Sequence, residues 1–168
     1  MKIPTDKLKE LREQTGAGIM ACRNALVEAE IDMEKALQII KDQSLFIVEK
    51  KKERATSQGL VEAYVHPGGR IGAMIELNCE TDFVARTGEF KELAHNLAMQ
   101  IAAMTPVYIS AEDIPEGEDL DTQTVCLLHQ SYIRDPNLII QDIVNETVAK
   151  VGENIKISRF ARFELGDK

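Results

Sequence analysis

Tryptophan, cysteine and long apolar runs are scarce or missing in this chain of 168 residues. It has no Trp and three Cys, and only 5% of its residues are aromatic. No run approaches the roughly 18 apolar residues that a membrane span needs, so we expect no membrane partner. Cys22, Cys79 and Cys126 are too scattered for a disulfide framework, and no apolar signal region follows Lys2. We therefore expect a cytoplasmic protein with reduced thiols.

Positive charge is also in deficit, with 20 Lys and Arg against 28 Asp and Glu. Because phosphate binding needs a positive field, we expect no direct binding of nucleic acid. The deficit is uneven: residues 1–56 carry 11 bases and 10 acids, whereas residues 57–168 carry 9 and 18. Six of the acids fall in residues 112–121, which also contain Pro and Gly. This run predicts a solvated loop, the alternative being an acidic contact surface.

Motifs for catalysis or metal binding are missing as well. No Cys or His pair has ligand spacing, and neither a phosphate-binding Gly loop nor a Gly-x-Ser-x-Gly elbow is present. We therefore expect no enzyme activity, no metal and no cofactor. One enzyme hypothesis stays open, with Cys79 as a nucleophile and His95 or His129 as its base. The strand pattern weakens it, because it places Cys79 on an apolar face.

Helical periodicity fills the first 43 residues and predicts a module of three short helices. Thr5 or Asp6 is a plausible cap for the first helix, and two glycines within residues 15–18 should end it. The second helix should cover residues 19–30, and Asp32 should cap the third. Three narrow apolar stripes make a small core, which is typical of binding modules. The stripes are Leu8, Leu11, Cys22, Ala25, Leu26, Ala29, Met33, Ala36, Leu37 and Ile40.

The periodicity changes after a helical connector at residues 44–56. We therefore predict a first domain over residues 1–56 and a second over residues 57–168. In the second, residues 60–66 and 71–79 alternate and flank a Pro-Gly-Gly-Arg turn, which predicts a β-hairpin. Its apolar faces should be Val61, Ala63 and Val65 on one strand, and Ile71, Ala73, Ile75, Leu77 and Cys79 on the other.

The remaining segments predict helices packed against that hairpin. A long helix should begin near Thr87 and stop at Pro106. Helices are also predicted for residues 122–132 and 140–151, separated by a break at Asp135 and Pro136, with Gly152 closing the second. Residues 155–165 alternate and should form a strand with its odd-numbered residues on one face. The predicted class is α+β, a small antiparallel sheet packed with helices behind a three-helix module.

The loop between the hairpin and the long helix, residues 78–86, has an unusual composition. Asp82 and Phe83 stand side by side where a small polar loop is normal. In one interpretation Thr81 or Asp82 caps the helix and Phe83 packs into the core as a hydrophobic staple. In the other, a rigid protrusion presents an aromatic ring and a carboxylate to a partner.

Three segments resemble sequence signatures of bacterial elongation factor Ts, in its short form. They are residues 11–20 (LREQTGAGIM), 78–86 (NCETDFVAR) and 151–160 (VGENIKISRF), in the family's order along the chain. The resemblance implies a guanine-nucleotide exchange factor for elongation factor Tu, the GTPase that delivers aminoacyl-tRNA. It also favours the protruding interpretation of Phe83.

The resemblance further implies roles for individual residues. Thr81, Asp82, Phe83 and Val84 match the family's element for displacing Mg²⁺ from the GTPase, with Phe83 as a wedge and Asp82 near the magnesium. The three-helix module is similar to ubiquitin-associated domains, and Arg12, Ile19 and Met20 match its contact residues. The partner would be elongation factor Tu, both GDP-bound and nucleotide-free.

Two departures from the family's pattern affect these expectations. Residues 44–56 are richer in large apolar and charged side chains than the expected connector, and the segment between Pro115 and Val125 is short. We therefore expect a shortened core, and we carry as a hypothesis that a second copy of the chain completes its surface as a homodimer. The alternative function is a binding adaptor, in which the three-helix module recognises another helix or a ubiquitin-like fold.

Overall fold

The computed structural model describes residues 3–167, and it has the predicted α+β class. A three-stranded antiparallel sheet in the order β1-β2-β5 carries helix α5 on one face, and α7 packs against α5. Among these residues, no helix combines the length and the apolarity that crossing a bilayer requires. The helices are α1 (Thr5–Thr15), α2 (Ile19–Glu28), α3 (Met33–Lys51), α4 (Asp82–Ala85), α5 (Gly88–Met104), α6 (Thr122–Val125) and α7 (Ile140–Val151). The strands are β1 (Gln58–Val65), β2 (Ile71–Cys79), β3 (Ser131–Tyr132), β4 (Asp135–Ile139) and β5 (Ile155–Glu164).

The first helix begins without a side-chain cap. Pro4 is the N-cap residue, and its carbonyl accepts a hydrogen bond from Leu8 N at 3.2 Å. Thr5 and Asp6 therefore lie inside the first turn, and the prediction that one of them caps the helix is wrong. Gly16 ends the helix as predicted, in a left-handed conformation with φ of 64° that glycine adopts without strain.

The second and third helices pack with the first around a small core. Asp32 caps α3 as predicted, accepting from Lys35 N at 3.2 Å. Helix α2 stops at Glu28, two residues earlier than predicted, and helix α3 continues to Lys51 through most of the predicted connector. The buried residues of this module all come from the predicted stripes: Leu11, Cys22, Ala25, Leu26, Ala29, Ala36 and Ile40.

The hairpin forms as predicted, but the inward face of β1 is the opposite one. On β2 the predicted face is the packed one, with Ile75 and Leu77 fully buried. Directly opposed residues of an antiparallel pair share a face, and the register sets Leu60 against Leu77 and Tyr64 against Ala73. Leu60 and Tyr64 therefore pack on the core, while the predicted set of Val61, Ala63 and Val65 is exposed.

A β-bulge changes the facing of strand β5. The pairing with β2 shifts register at Glu76 and Leu77, which pair with Arg159 and Ile157 and leave Ser158 unpaired between them. Before the bulge the odd-numbered residues face the core, and after it the even-numbered ones do, so Phe160 packs inward and Phe163 is exposed. The prediction of one continuous odd-numbered face is therefore wrong beyond residue 157.

The region after α5 is less helical than predicted. Residues 122–132 divide into the single turn α6, a short 3₁₀ helix and strand β3. Asp135 and Pro136 do not break the chain, because they begin strand β4, which pairs only with the short β3. The acidic residues 112–121 form an exposed connection, in which Asp113 and Asp121 cap short helical turns.

Helix α5 supplies much of the main core, and its orientation makes a testable prediction. Replacing fully buried Ile101 by Ala should lower the free energy of unfolding by about 2–5 kcal/mol, because it leaves a cavity. Met104→Ala, on the same helix but 42% exposed, should change it by only about 0.5 kcal/mol. Urea unfolding followed by circular dichroism measures both. Equal losses at the two positions would contradict this orientation.

Candidate partner-binding surface

The segment after strand β2 carries the most exposed large apolar side chain among residues 3–167. Phe83 is 78% exposed, whereas Val84 and Ala85 beside it are each 8% exposed and belong to the main core. A helix of one turn cannot bury all of its sides, so anchoring Val84 and Ala85 directs Phe83 outward. Thr81 caps this turn, accepting from Val84 N at 3.4 Å. Of the two interpretations of this loop, the cap by Thr81 is confirmed and the packing of Phe83 into the core is wrong, which leaves the protruding arrangement of Phe83.

We call Thr81, Asp82, Phe83 and Val84 the tip. The carboxylate of Asp82 is half exposed, and its Oδ2 lies 2.8 Å from Arg86 Nη2 one turn later. Such an exposed ion pair contributes little to stability. The tip therefore exposes an aromatic ring next to a carboxylate whose ion pair can break at small cost.

The base of the tip is held by the turn between α7 and β5. Glu153 Oε2 accepts from the backbone N–H of Glu80 and of Thr81, at 3.1 and 3.0 Å. Its Oε1 accepts from the Thr81 hydroxyl at 2.6 Å. In return Glu80 Oε1 accepts from Asn154 N at 2.7 Å. These contacts join two segments that lie more than 70 residues apart in sequence.

The three predicted contact residues of the three-helix module are all exposed. Arg12 lies near the end of α1, while Ile19 and Met20 begin α2 and are 54% and 59% exposed. Two exposed apolar side chains at the start of a helix that is anchored by buried Cys22 and Leu26 form a small rigid patch. We call Arg12, Ile19 and Met20 the module patch.

A cleft of about 480 Å³ separates the module from the helices of the main core. Residues 15–18 line it from the module side, and Glu89, Glu146 and Lys150 line it from α5 and α7. The cleft therefore reaches from the loop before α2 to the first turn of α5. Helix α5 begins at Gly88, shortly after α4 and the tip end at Ala85 and Val84. Within residues 3–167, no hydrogen bond or ion pair joins the tip directly to the module patch.

The thiol of Cys79 is poorly placed for nucleophilic chemistry. Its side chain is fully buried, and Sγ donates to Thr81 O at 3.1 Å. Burial, together with the nearby Glu153 carboxylate, raises the pKa of the Cys79 thiol, which favours the unreactive protonated form. Of its proposed bases, His95 instead pairs with Glu62, with 3.1 Å between Nδ1 and Oε1.

No group of three or more potential metal-ligating side chains occurs within residues 3–167. Exposed apolar and charged side chains on well-anchored helices are instead typical of a protein-binding protein. The sequence then assigns the family. A family model described as elongation factor TS matches residues 9–119, about two thirds of the chain. The chain belongs to the elongation factor Ts family, translation factors known for nucleotide exchange on elongation factor Tu.

Relatives in this family match over nearly their whole length. The chain is 47% identical to elongation factor Ts of Thermoanaerobacter sp. (strain X514), covering 98% of this chain and 96% of the relative. It is 46% identical to that of Thermotoga petrophila, covering 99% and 98%. Both alignments span 195 positions, more than the 168 residues of this chain. The relatives therefore carry internal residues that this chain lacks.

Sequence reasoning missed the residues that hold the tip in place. Glu153 and Asn154 lie in the segment 151–160 that resembles the family's signature, and the sequence predicts no role for them or for Glu80. A usable signal was present, since two polar residues directly follow the helix-closing Gly152 and precede a buried strand residue. Polar side chains at such a position are usually committed to backbone partners.

The burial of Cys79 predicts its reactivity. At pH 7 the folded protein should react with iodoacetamide at Cys79 at least about a hundredfold more slowly than the urea-unfolded chain, because the thiol is both inaccessible and protonated. Peptide mass spectrometry after timed labelling measures each cysteine separately. Fast labelling of Cys79 in the folded protein would contradict the burial and revive the thiol-enzyme hypothesis.

Proposed function

We propose that this protein is a guanine-nucleotide exchange factor for elongation factor Tu, which promotes release of GDP and stabilises the nucleotide-free GTPase. The observation that carries the proposal is the exposure of Phe83 on a turn whose neighbouring residues are buried. An aromatic side chain supplies a large contact area with few rotatable bonds, which suits an anchor in a partner's groove. Membership of the elongation factor Ts family supplies the partner.

In the proposed mechanism, Phe83 enters between helices of the GTPase and Asp82 acts next to the Mg²⁺ site. Mg²⁺ bridges protein and phosphate oxygens, so disturbing its ligands weakens nucleotide binding. Thr81 and Val84, the two ends of the tip, hold Asp82 and Phe83 between them, as cap and as buried anchor. No covalent bond changes in this reaction, so it requires neither a nucleophile nor a general base.

The energetics of exchange follow from linkage. A factor that binds the empty GTPase more tightly than the loaded one weakens nucleotide binding by the same ratio. An effect of about 4 kcal/mol at the nucleotide site corresponds to a roughly thousandfold loss of nucleotide affinity. The module patch of Arg12, Ile19 and Met20 would supply binding energy that is independent of the nucleotide state. The partner is therefore engaged in its GDP-bound form before the tip acts.

Substitutions at the tip test this function. We expect Phe83→Ala and Asp82→Ala each to slow the protein's acceleration of GDP release, with the Phe83 change costing about tenfold or more because it removes the anchor. The measurement is the release of a fluorescent GDP analogue from elongation factor Tu, with and without the protein. Phe46→Ala is the matched control, since Phe46 is also exposed, at 61%, but lies on helix α3.

Three results are informative. Acceleration by the unmodified protein that survives the double change at Phe83 and Asp82 would contradict the role of the tip. A failure of the unmodified protein to accelerate release, while it still binds through the module patch, would favour the adaptor. Equal losses from Phe46→Ala and Phe83→Ala would show that exposed aromatic area alone matters, which contradicts a specific wedge.

We also propose that two copies of the chain pair through the outer face of the sheet. Helices cover one face only, and the other exposes Val61, Val65, Met74 and Phe163. Exposed apolar patches of this kind are typical of interaction surfaces. The patch continues into an acid and a base, Glu76 and Arg159, whose Oε2 and Nε lie 2.8 Å apart. A two-fold axis can therefore place an acid opposite a base, as a self-complementary interface requires.

The mass in solution tests this pairing. Sedimentation equilibrium at micromolar concentrations should give twice the chain mass of 18.8 kDa. Phe163→Asp should reduce it to a single chain because a charge would be desolvated in the interface, and Phe46→Asp should leave it unchanged. A single-chain mass for the unmodified protein throughout that range would refute the dimer while leaving the exchange proposal intact.

A further inference from the structure

The carboxylate of Glu153 has an unusual set of partners for a half-buried surface residue. It accepts three hydrogen bonds, from two successive backbone N–H groups and one hydroxyl, at 2.6 to 3.1 Å. All three donors belong to Glu80 and Thr81, at the base of the tip. A carboxylate is acceptor-only and offers about four lone-pair directions, so it can satisfy three donors at once.

The hydroxyl of Thr81 passes this constraint on to the tip. It donates its one proton to Glu153 Oε1 at 2.6 Å and accepts from Val84 N at 3.4 Å. Because the proton is committed to Glu153, a lone pair of the same oxygen is directed at the first turn of α4. The orientation of the cap, and with it the direction of Phe83, therefore depends on Glu153.

The same turn also holds the end of the connector. Asn154, which is 6% exposed, donates from Nδ2 to Lys52 O at 3.1 Å and to Arg54 O at 2.8 Å. Its backbone N–H donates to Glu80, whose second carboxylate oxygen lies 3.6 Å from Arg54 Nη1. One turn thus fixes both the base of the tip and the chain that leads from the three-helix module.

We propose that Glu153 is a positioning residue for nucleotide exchange, holding Thr81 so that Phe83 meets the GTPase already oriented. The inference rests on the proposed function of the tip. If a contact residue is already ordered in the free protein, binding does not lose conformational entropy in ordering it. A wedge also displaces groups of the partner only if its own position is fixed. Glu153 touches neither nucleotide nor magnesium in this scheme, and it acts through Thr81.

Glu153→Gln is the sharpest test because it keeps the size of the side chain. A glutamine amide has one acceptor oxygen and two N–H donors, so at least one of the three donors loses its acceptor. The maximal rate of GDP release at saturating factor should fall roughly tenfold, as expected for a lost hydrogen bond to a charged group. The half-saturating concentration should change less than about twofold, because the module patch still binds.

Controls separate positioning from a general loss of structure. Glu118→Gln makes the same chemical change in the exposed acidic connection and should leave both parameters unchanged. Thr81→Ser keeps the hydroxyl and should retain most of the rate, whereas Thr81→Val should lower it. In the Thr81→Val background, Glu153→Gln should add little, because residues that act as one unit are not additive.

A measurement on the free protein distinguishes failure of this inference from failure of the proposed function. Amide hydrogen exchange at Glu80, Thr81 and Val84 should accelerate at least about tenfold in Glu153→Gln, with core amides of α5 unaffected. If the unmodified protein accelerates GDP release and Glu153→Gln matches it at saturation, the positioning role is wrong and the exchange function stands. If the unmodified protein does not accelerate release, the exchange function fails, and with it the positioning role. Unchanged exchange at those amides would also overturn the inference.

Discussion

The hydrogen bonds of Glu153 fix the base of the tip, the segment that carries Phe83, to the turn between α7 and β5. The main core buries Cys79 before the tip and Val84 at its end, and the α7–β5 turn holds Thr81 between them. The neighbouring Asn154 binds the end of the connector from the three-helix module. The position of Phe83 is therefore fixed by the burial of Cys79 and Val84 and by the hydrogen bond to Thr81, although the tip itself is a single helical turn.

This arrangement suits a protein that acts by binding. In the proposed mechanism, GDP release is driven by the higher affinity of the protein for the nucleotide-free GTPase. The rate therefore depends on the rigidity of the tip and on how well the tip and the module patch fit the GTPase. A buried, protonated Cys79 and a histidine paired with Glu62 have structural roles in such a protein. Two linked contacts also raise the effective concentration of the second once the first has formed, which lets a modest module patch support the action of the tip.

The sequence predicted most helices and both hairpin strands, because these depend on local periodicity and on residues such as Gly16, Asp32 and Gly152. It failed where packing between distant segments decides. The inward face of β1 is set by its register against β2, and both faces of that strand carry apolar residues. The exposure of Phe163 follows from the β-bulge in β5 opposite Glu76 and Leu77, which the alternation of residues in β5 does not predict.

The candidate site divides in the same way. Thr81 as a cap follows from a local motif, whereas the outward direction of Phe83 follows from the burial of Val84 and Ala85. The residue pattern alone allows both a packed and a protruding Phe83, and only the resemblance to the family favours the protruding one. The contacts of Glu153 span more than 70 residues and could not be predicted from either segment alone.

The most direct test of the proposed function is the affinity of this protein for elongation factor Tu in its nucleotide-free and GDP-saturated states. Titration calorimetry under identical salt gives both dissociation constants. If the protein is an exchange factor, it weakens the binding of GDP to elongation factor Tu, and GDP must weaken the binding of the protein to elongation factor Tu by the same ratio. For an effect of about 4 kcal/mol this ratio is on the order of a thousandfold. Equal dissociation constants in the two states would contradict the account, however tightly the protein binds.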